Sequence, residues 1–301
     1  MLDNLNDKIV GGVHQSKLHD SGHKHVNGSA IYVDDIPEPH GTLQIFLGTS
    51  SIAHGLIKSM DLSEVQASEG VAIVLTAKDI PGINDYSPVK GDDPIFAEER
   101  VEFIGQPIFA VAADTIDQAR AAAKKAKIVY EELPAILTIQ DAMAKGSYVS
   151  DPHVMARGDV DSAMKTAKHR LKNTMELGGQ EQFYLEGMIA MAIPGEDEDV
   201  LVYSSTQHPS EVQHNVAKAL AVHDHAVTIE TRRLGGGFGG KESQPALMAS
   251  VSAMVAKATN RAAKLRLDRD DDMTMTGKRH DFHFEFDVGF DDQGVLEAVW
   301  M

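Results

Sequence analysis

The sequence predicts a mixed α+β protein. Short β-branched runs bounded by turn residues, such as residues 43–48 and 70–75, are typical of strands. Elsewhere apolar residues recur at helical spacing, as Val212 and Val216 do. The 301-residue chain is 43% hydrophobic and 24% charged, so it can build a core, and its length favours two domains.

The first part of the chain combines several strands with one helix. Asp114 or Thr115 can cap an alanine-rich helix over residues 116–126. The strands predicted around it cover residues 29–33, 43–48, 70–75, 108–113 and 128–130.

The later part of the chain alternates strands and helices. Pro209 begins one predicted helix, and residues 245–257, rich in Ala, Met and Val, form a second. Residues 264–267 and 282–288 alternate apolar and polar side chains, as half-buried strands do. Further strands are predicted at residues 188–193, 200–204, 227–230 and 295–299.

Turn residues and composition divide the chain into four parts. Residues 1–20 are polar and predict an N-terminal arm, which precedes a first domain over residues 21–135. Residues 136–165 read as a linker with one short helical stretch. A second domain follows over residues 166–301.

Composition argues against several classes of function. The 28 Lys and Arg residues against 45 Asp and Glu give a formal charge of −17, which repels nucleic acid and anionic membrane surfaces. No apolar run approaches the roughly 18 residues of a membrane span, and the N-terminus lacks a signal-peptide pattern. Zero cysteines exclude disulfides and thiolate-ligated iron–sulfur clusters within these residues. We therefore expect a cytoplasmic protein.

The densest chemical signal is the glycine turn, which we define as residues 234–242 (LGGGFGGKE). Five of the six residues from 235 to 240 are glycines, so backbone N–H groups can approach a ligand closely. The helix that follows favours anions or oxo groups at its start. A tight connection without a ligand is the competing interpretation.

Two nucleotide-binding patterns match the glycine turn only in part. Gly235, Gly237 and Gly240 fit the dinucleotide spacing G-x-G-x-x-G, but the preceding strand ends in charged residues. The candidate ribose ligand, Asp268, follows Gly240 by 28 residues (268 − 240) instead of about 20. The turn also matches the P-loop, except that Glu242 replaces the Ser or Thr that binds magnesium and would repel phosphates.

Glu242 suits another chemistry. A partly buried carboxyl there could exchange hydrogen bonds with a polar heterocycle, whereas a glutamate that only interacts with the helix dipole is an equally good interpretation. Residues 178–186 (GGQEQFYLE) and 204–209 (SSTQHP) also carry amides and carboxylates beside strands. A packed turn and a helix cap are their respective alternatives.

Protein-ligated metal sites are not predicted. No group among the 14 histidines has the spacing of a zinc site. Residues 270–272 (DDD) lack the glycine and the distal Glu of a calcium loop, so we expect a solvated turn there.

Several long motifs appear in the order found in the molybdenum hydroxylases. From about Ser21, the chain resembles the molybdopterin-binding subunit of that family, most closely its xanthine dehydrogenase branch. The resemblance makes residues 21–135 an a/b hammerhead domain and residues 166–301 the N-terminal, truncated part of a molybdopterin-binding domain. The motifs that carry it are residues 28–35 (GSAIYVDD), 75–82 (LTAKDIPG), 105–107 (GQP), 179–186, 235–242, 267–273 (LDRDDDM) and 276–280 (TGKRH).

The resemblance also implies a site. In this family the pterin's dithiolene sulfurs hold the metal, and the protein orients the centre from outside. Gln207 corresponds to an amide that hydrogen-bonds an oxygen ligand of molybdenum. Phe238, between Gly237 and Gly239, corresponds to the position whose backbone contacts the centre. Glu242 corresponds to the carboxylate that binds a purine and assists its hydroxylation, whereas aldehyde-oxidising relatives tend to carry an apolar residue there.

The implied reaction is oxidation of hypoxanthine to xanthine and of xanthine to urate with oxygen from water. Electrons would leave through 2Fe-2S clusters and FAD to NAD, and these cofactors would lie on partner subunits or domains. Molybdenum-molybdopterin, as such or as a dinucleotide, is the expected cofactor of this part. An aldehyde, nicotinate or another N-heterocycle as substrate, or a non-catalytic scaffold, are the alternatives.

Family members continue for several hundred residues beyond this point. That region holds a substrate-binding arginine, a Phe-Arg-Gly-Phe-Gly loop, most pterin contacts and the glutamate that acts as general base. We therefore expect these 301 residues alone to turn over no purine. The remainder of the molybdopterin subunit and further subunits are the expected partners, in an oligomer.

Overall fold

A computed structural model describes residues 16–301, so most of the predicted arm lies outside the described residues. The strands are β1 (Leu43–Thr49), β2 (Gly55–Asp61), β3 (Val71–Thr76), β4 (Arg100–Val101), β5 (Pro107–Ala113), β6 (Lys127–Glu132), β7 (His169–Leu177), β8 (Ile189–Pro194), β9 (Val200–Ser204), β10 (Val227–Glu230), β11 (Ala263–Arg266), β12 (Phe282–Phe290) and β13 (Leu296–Trp300). The helices are α1 (Gly22–Asn27), α2 (Ser63–Gln66), α3 (Ile116–Ala123), α4 (Ile139–Lys145), α5 (Val160–Thr166), α6 (Pro209–Leu220), α7 (Pro245–Thr259) and α8 (Arg269–Met275).

The central feature is a seven-stranded sheet in the order β10-β9-β8-β11-β1-β5-β3. Strands β1, β3 and β5 come from the first part of the chain, and β8 to β11 come from the second. The two sets meet where β1 pairs in parallel with β11, with Leu43 opposite Ala263 and Ile45 opposite Leu265. The two predicted domains therefore share one sheet.

Each face of this sheet is covered by a core. Every residue of β5 is buried, because the strand lies between β1 and β3 and has helices on both faces. Ala110 and Ala112 face the core that contains α6 and α7. Val111 and Ala113 face the smaller core, to which α3 contributes Ala122.

Two three-stranded sheets flank the central one. Strands β4, β2 and β6 form the first, and β13, β12 and β7 form the second. In the second sheet β12 and β7 pair in antiparallel register, with Phe282 opposite Leu177 and Phe290 opposite His169.

The predicted α+β class is confirmed, and most predicted strands agree within one or two residues at each end. The strand predicted at residues 29–33 is wrong, because this segment pairs with no strand among residues 16–301 and ends in a short 3-10 turn, Val33–Asp35. It instead brings Asp34 to Lys264 of β11, with Oδ1 and Nζ 2.8 Å apart. Strands β2, β4 and β7 were not predicted from the sequence.

The acidic run at residues 270–272 is not a solvated turn. It belongs to helix α8, where Asp268 caps the N-terminus by accepting a hydrogen bond from the backbone N–H of Asp271 (3.0 Å). Asp272 is buried. Within residues 16–301, no helix has the length and apolar character needed to cross a membrane.

Candidate functional site

The glycine turn connects β10, at the edge of the central sheet, with α7. Its backbone takes up left-handed conformations at Gly236 (φ 97°), Phe238 (φ 54°) and Gly239 (φ 87°). A bulky residue such as Phe is strained in this region, and strained residues concentrate at functional sites. Phe238 is 75% exposed.

Gln207 follows the end of β9 and is fixed by the glycine turn. Its side-chain oxygen Oε1 accepts hydrogen bonds from the backbone N–H groups of Gly239 (2.9 Å) and Lys241 (3.2 Å). Its own backbone N–H donates to the carbonyl of Lys241 (2.7 Å). Because backbone N–H groups can only donate, the amide oxygen must face them. The exposed side chain therefore has its NH₂ group left to donate to another acceptor.

The close fit of Gln207 against the turn requires glycine at position 237. A Cβ atom there would lie 2.4 Å from Oε1 of Gln207. Real Cβ contacts essentially never come so close, so any side chain at this position would displace the amide.

The middle of the turn presents backbone donors. Across residues 16–301, the N–H groups of Gly236, Gly237 and Phe238 donate to no protein acceptor, whereas that of Gly235 donates to Oε2 of Glu186 (2.8 Å). Buried or partly buried backbone donors normally have partners. Free N–H groups beside an outward-facing amide form a cradle for a group that is rich in acceptor atoms.

Glu242 lies close to the same cradle. A Cβ atom built on Gly239 would lie 4.0 Å from Oε1 of Glu242, so Gly239 adjoins both Gln207 and Glu242. The carboxylate is exposed, and the partial burial considered from the sequence is absent within the described residues. It is thus available to hydrogen-bond a molecule bound beside the turn.

Beneath the turn lies a buried polar network that was not predicted from the sequence. Lys241 is fully buried, and its Nζ donates to the carbonyl of Glu186 (2.6 Å) and to Oγ of Ser205 (2.7 Å). Nζ also lies 4.6 Å from the centre of the Tyr184 ring, within cation–π range. Burial lowers the pKa of Lys241, and the Glu186 carboxylate opposes that shift.

The network continues away from the turn. The Tyr184 hydroxyl donates to Oδ1 of Asp272 (2.7 Å), and Oδ2 of Asp272 accepts from the backbone N–H of Met188 (3.2 Å). Burial, and then the adjacent Asp272, raise the pKa of Tyr184.

The three sequence motifs at residues 178–186, 204–209 and 234–242 thus converge in one structure. Their shared polar content is the signal that could have linked them.

This geometry argues against both nucleotide-binding interpretations. A P-loop lysine must reach phosphates, but Nζ of Lys241 points beneath the turn to Glu186 and Ser205. Asp268, the candidate ribose ligand, is instead engaged by Arg120, whose Nη2 lies 2.5 Å from Oδ2. Strand β10 also lies at the sheet edge instead of at a central position.

Two open grooves adjoin the glycine turn. The larger, of about 860 Å³, is lined by Gly235 and Gly236 together with Tyr32 and Arg269. The smaller, of about 580 Å³, is lined by Phe238 and Gly239 together with residues 180–182, 279, 280 and 282. The turn therefore has room for a ligand on either side.

A metal held here would have to bring its own ligands. Among residues 16–301, no group of three or more His, Cys, Asp or Glu side chains could hold a metal ion. The unpaired backbone donors and the outward amide of Gln207 nevertheless fit an organic chelate whose acceptors they can bind from outside. On this observation the site fits molybdopterin.

Comparison with known proteins defines the class. A family model described as "Molybdopterin cofactor-binding domain" matches residues 144–301. A second, described as "Aldehyde oxidase and xanthine dehydrogenase, a/b hammerhead domain", matches residues 27–134. The chain belongs to the molybdenum hydroxylases, the family of the aldehyde oxidases and xanthine dehydrogenases.

Within that family it corresponds to the N-terminal portion of the molybdopterin-binding subunit. It is 40% identical to aldehyde oxidase 3 of Rattus norvegicus over 284 residues, 94% of this chain and 21% of that protein. It is also 40% identical to xanthine dehydrogenase/oxidase of Gallus gallus over 283 residues, 94% of this chain and 21% of that protein. The chain thus spans about a fifth of the length of these relatives.

Solved structures agree with this assignment. The aldehyde oxidoreductase from Desulfovibrio gigas superposes with a TM-score of 0.80 at 26% identity, over 92% of this chain and 32% of that chain. Most of the chain therefore shares its fold with part of an aldehyde oxidoreductase of known structure.

Proposed function

We propose that this chain belongs to a molybdenum hydroxylase that oxidises hypoxanthine to xanthine and xanthine to urate. In this proposal the chain supplies part of the cofactor cradle and the carboxylate that binds the substrate. One observation supports the proposal above the others. Gly239 adjoins both the clamped amide of Gln207 and the exposed carboxylate of Glu242. A donor for the cofactor and a partner for a heterocycle therefore lie side by side.

Each residue has a distinct role in this proposal. The NH₂ group of Gln207 donates to an acceptor of the cofactor. The backbone of Gly237, Phe238 and Gly239 lets the cofactor approach closely, and the N–H groups of Gly237 and Phe238, unlike that of Gly239, are left to bind it. Glu242 accepts a hydrogen bond from an N–H group of the purine ring and holds the ring beside the cofactor. The ring's carbon is thereby oriented without any covalent bond to the protein.

When bound, molybdopterin supplies a redox centre that accepts two electrons from the purine, and the added oxygen comes from water. Because the chain contains no cysteine, the 2Fe-2S clusters that carry these electrons onward to FAD and NAD belong to partner subunits or domains. The rest of the molybdopterin subunit is a further partner. We also propose that the complex is cytoplasmic and oligomeric.

Aldehyde oxidation is the second candidate function. Identity to an aldehyde oxidase and to a xanthine dehydrogenase is the same, 40%, so overall similarity does not separate the two activities. Glu242 favours the purine, because a carboxylate beside an apolar aldehyde would go unpaired, at a cost of about 1–3 kcal/mol once desolvated.

Substitution of Glu242 in the intact enzyme tests the proposal. Glu242→Ala should lower kcat/KM for hypoxanthine and xanthine about 100-fold, while kcat/KM for an aromatic aldehyde stays within about threefold. Glu196→Ala, at another exposed glutamate, is the matched control and should change neither. Equal losses on purine and aldehyde, or a parent enzyme that oxidises only aldehydes, would contradict the purine assignment.

These 301 residues alone should be inactive, since they span about a fifth of the length of their relatives. Purified chain should contain far less than one molybdenum atom per molecule and should produce no urate from xanthine. Stoichiometric molybdenum together with urate production would refute this expectation.

A further inference from the structure

Lys241 connects the exposed side of the glycine turn with its buried side. Its backbone N–H and carbonyl both bond Gln207, at 3.2 and 2.7 Å. The hydroxyl of Thr206 also donates to that carbonyl (3.2 Å). Its side chain extends in the other direction, into the network of Glu186 and Ser205. A single residue therefore links the amide beside the cofactor cradle to the protein interior.

Glu186 joins the two ends of the turn through this lysine. Its Oε2 accepts from the backbone N–H of Gly235 (2.8 Å) and from the Ser205 hydroxyl (2.7 Å), and it lies 3.4 Å from Nζ of Lys241. One carboxylate thus contacts the turn at its first glycine and at its lysine, and in this sense it holds the turn closed. Oε1 of Glu186 is buried with no hydrogen-bond partner in the described part of the chain. The carboxylate therefore relies on the lysine to balance its charge.

Packing alone does not account for a lysine at this position. The residue is fully buried, and burying an ammonium group is unfavourable unless its donors and its charge are satisfied. The three polar contacts and the Tyr184 ring satisfy it here. An apolar side chain of the same length could fill the space but could not hold Ser205 and Glu186 together.

We propose that Lys241 is a positioning residue, which holds the glycine turn closed and thereby orients the NH₂ group of Gln207 toward the cofactor. The orientation toward the cofactor rests on the proposed function, whereas the closure of the turn does not. Lys241 touches neither cofactor nor substrate in this proposal and acts through Gln207.

Lys241→Met in the intact enzyme tests the closure directly. Hydrogen–deuterium exchange at the Gly239 amide, which Gln207 protects, should become about tenfold faster, because the loss of hydrogen bonds to a charged group loosens the turn. Lys264→Met is the matched control. Lys264 on β11 is also a buried lysine with two carboxylate partners, Asp34 and Glu38, neither of which belongs to the glycine turn. Its replacement should therefore leave Gly239 exchange unchanged.

A second measurement tests the action through Gln207. The electron paramagnetic resonance spectrum of the molybdenum centre should change in Lys241→Met as it does in Gln207→Ala. The double variant should show no further change, and its loss of kcat should be smaller than the product of the single losses. The proposal would be overturned if the kcat loss of the double variant equalled the product of the single losses. It would also be overturned if the spectrum of Lys241→Met matched that of the Lys264→Met control.

Ser205→Ala provides the same test if Lys241→Met does not fold. It removes one acceptor of the lysine and one donor to Oε2 of Glu186, while the ammonium group stays bonded to the carbonyl of Glu186, so Gly239 exchange should rise about threefold. Unchanged exchange in this variant would also overturn the proposal. If the parent enzyme contained no molybdenum, the proposed function would fail, and the exchange measurements would still decide whether Lys241 closes the turn.

Discussion

The side-chain oxygen of Gln207 lies 2.9 Å from the backbone nitrogen of Gly239, 32 residues further along the chain. This contact joins the end of β9 to the glycine turn. It also determines which end of the amide faces outward, since the oxygen is used by the turn. The chemistry that the site can offer therefore depends on a hydrogen bond within the protein.

Gln207→Glu should separate the inward role of this side chain from its outward role. A carboxylate accepts the same backbone N–H groups but has no N–H to donate to the cofactor. We expect molybdenum content or kcat of the intact enzyme to fall roughly 10- to 100-fold, with little change in the thermal midpoint. Gln293→Glu, at an exposed residue of the β12–β13 turn, should change neither quantity.

Gly237→Ala should damage the site sterically. The new methyl group would lie 2.4 Å from Oε1 of Gln207 and would displace the amide. Because the displaced amide gives up its hydrogen bonds with the turn, we expect a loss of about 1 kcal/mol in stability, seen as a slightly lower thermal midpoint, together with reduced molybdenum content. Gly178→Ala is the control, because a Cβ atom there has no neighbour within 4 Å. Equal effects of both variants would refute the steric argument.

Tyr184→Phe should weaken the buried network while it preserves the shape of the core. The variant loses the hydrogen bond of 2.7 Å to Asp272 but retains the ring beneath Lys241. A cost of about 1–2 kcal/mol should appear as a lower midpoint of thermal unfolding. Tyr148→Phe, at a residue that is 69% exposed, should leave the midpoint unchanged.

The carboxylates at the start of α8 should make stability depend on pH. Burial, and then the neighbouring Asp268, raise the pKa of Asp271 from 3.8 to about 6. Between these two values the folded protein keeps a proton that the unfolded chain has released, so this group's contribution falls as pH rises from about 4 to about 6. Asp271→Asn should remove the effect.

The measurement for Asp271→Asn is the thermal midpoint as a function of pH. As pH rises through this interval, the thermal midpoint of the variant should increase relative to that of the parent. The increase should correspond to at most about 2 kcal/mol in the free energy of unfolding. Asp270→Asn, one position earlier in the acidic run, serves as the comparison. A parallel course of the Asp271→Asn and parent curves would contradict the prediction.

Local patterns in the sequence were sufficient for many elements of the fold. Strand β5 was predictable because its seven residues are all apolar or small and all buried. The strand predicted at residues 29–33 fails because β-branched residues form a strand only when a neighbouring strand is available. Strand β7 was missed because Asn173 interrupts its alternation and the whole strand is exposed.

The candidate site was predicted from short motifs and from the family resemblance that they carry. Gln207, Phe238 and Glu242 all lie in such motifs, and their proposed roles come from the resemblance. The role of Lys241 was hidden because its partner Glu186 lies 55 residues away, and a sequence does not state which carboxylate a lysine will meet. The P-loop pattern would have placed this lysine at phosphates, although Glu242 already argued against that pattern.

Strand β1 holds the two parts of the chain together, because it is hydrogen-bonded to β5 on one side and to β11 on the other. A proteolytic cut within residues 146–159, which are exposed and contain no helix or strand, would not free the two pieces. They would remain associated along the seam between β1 and β11, and two separately synthesised halves could reassemble along the same seam.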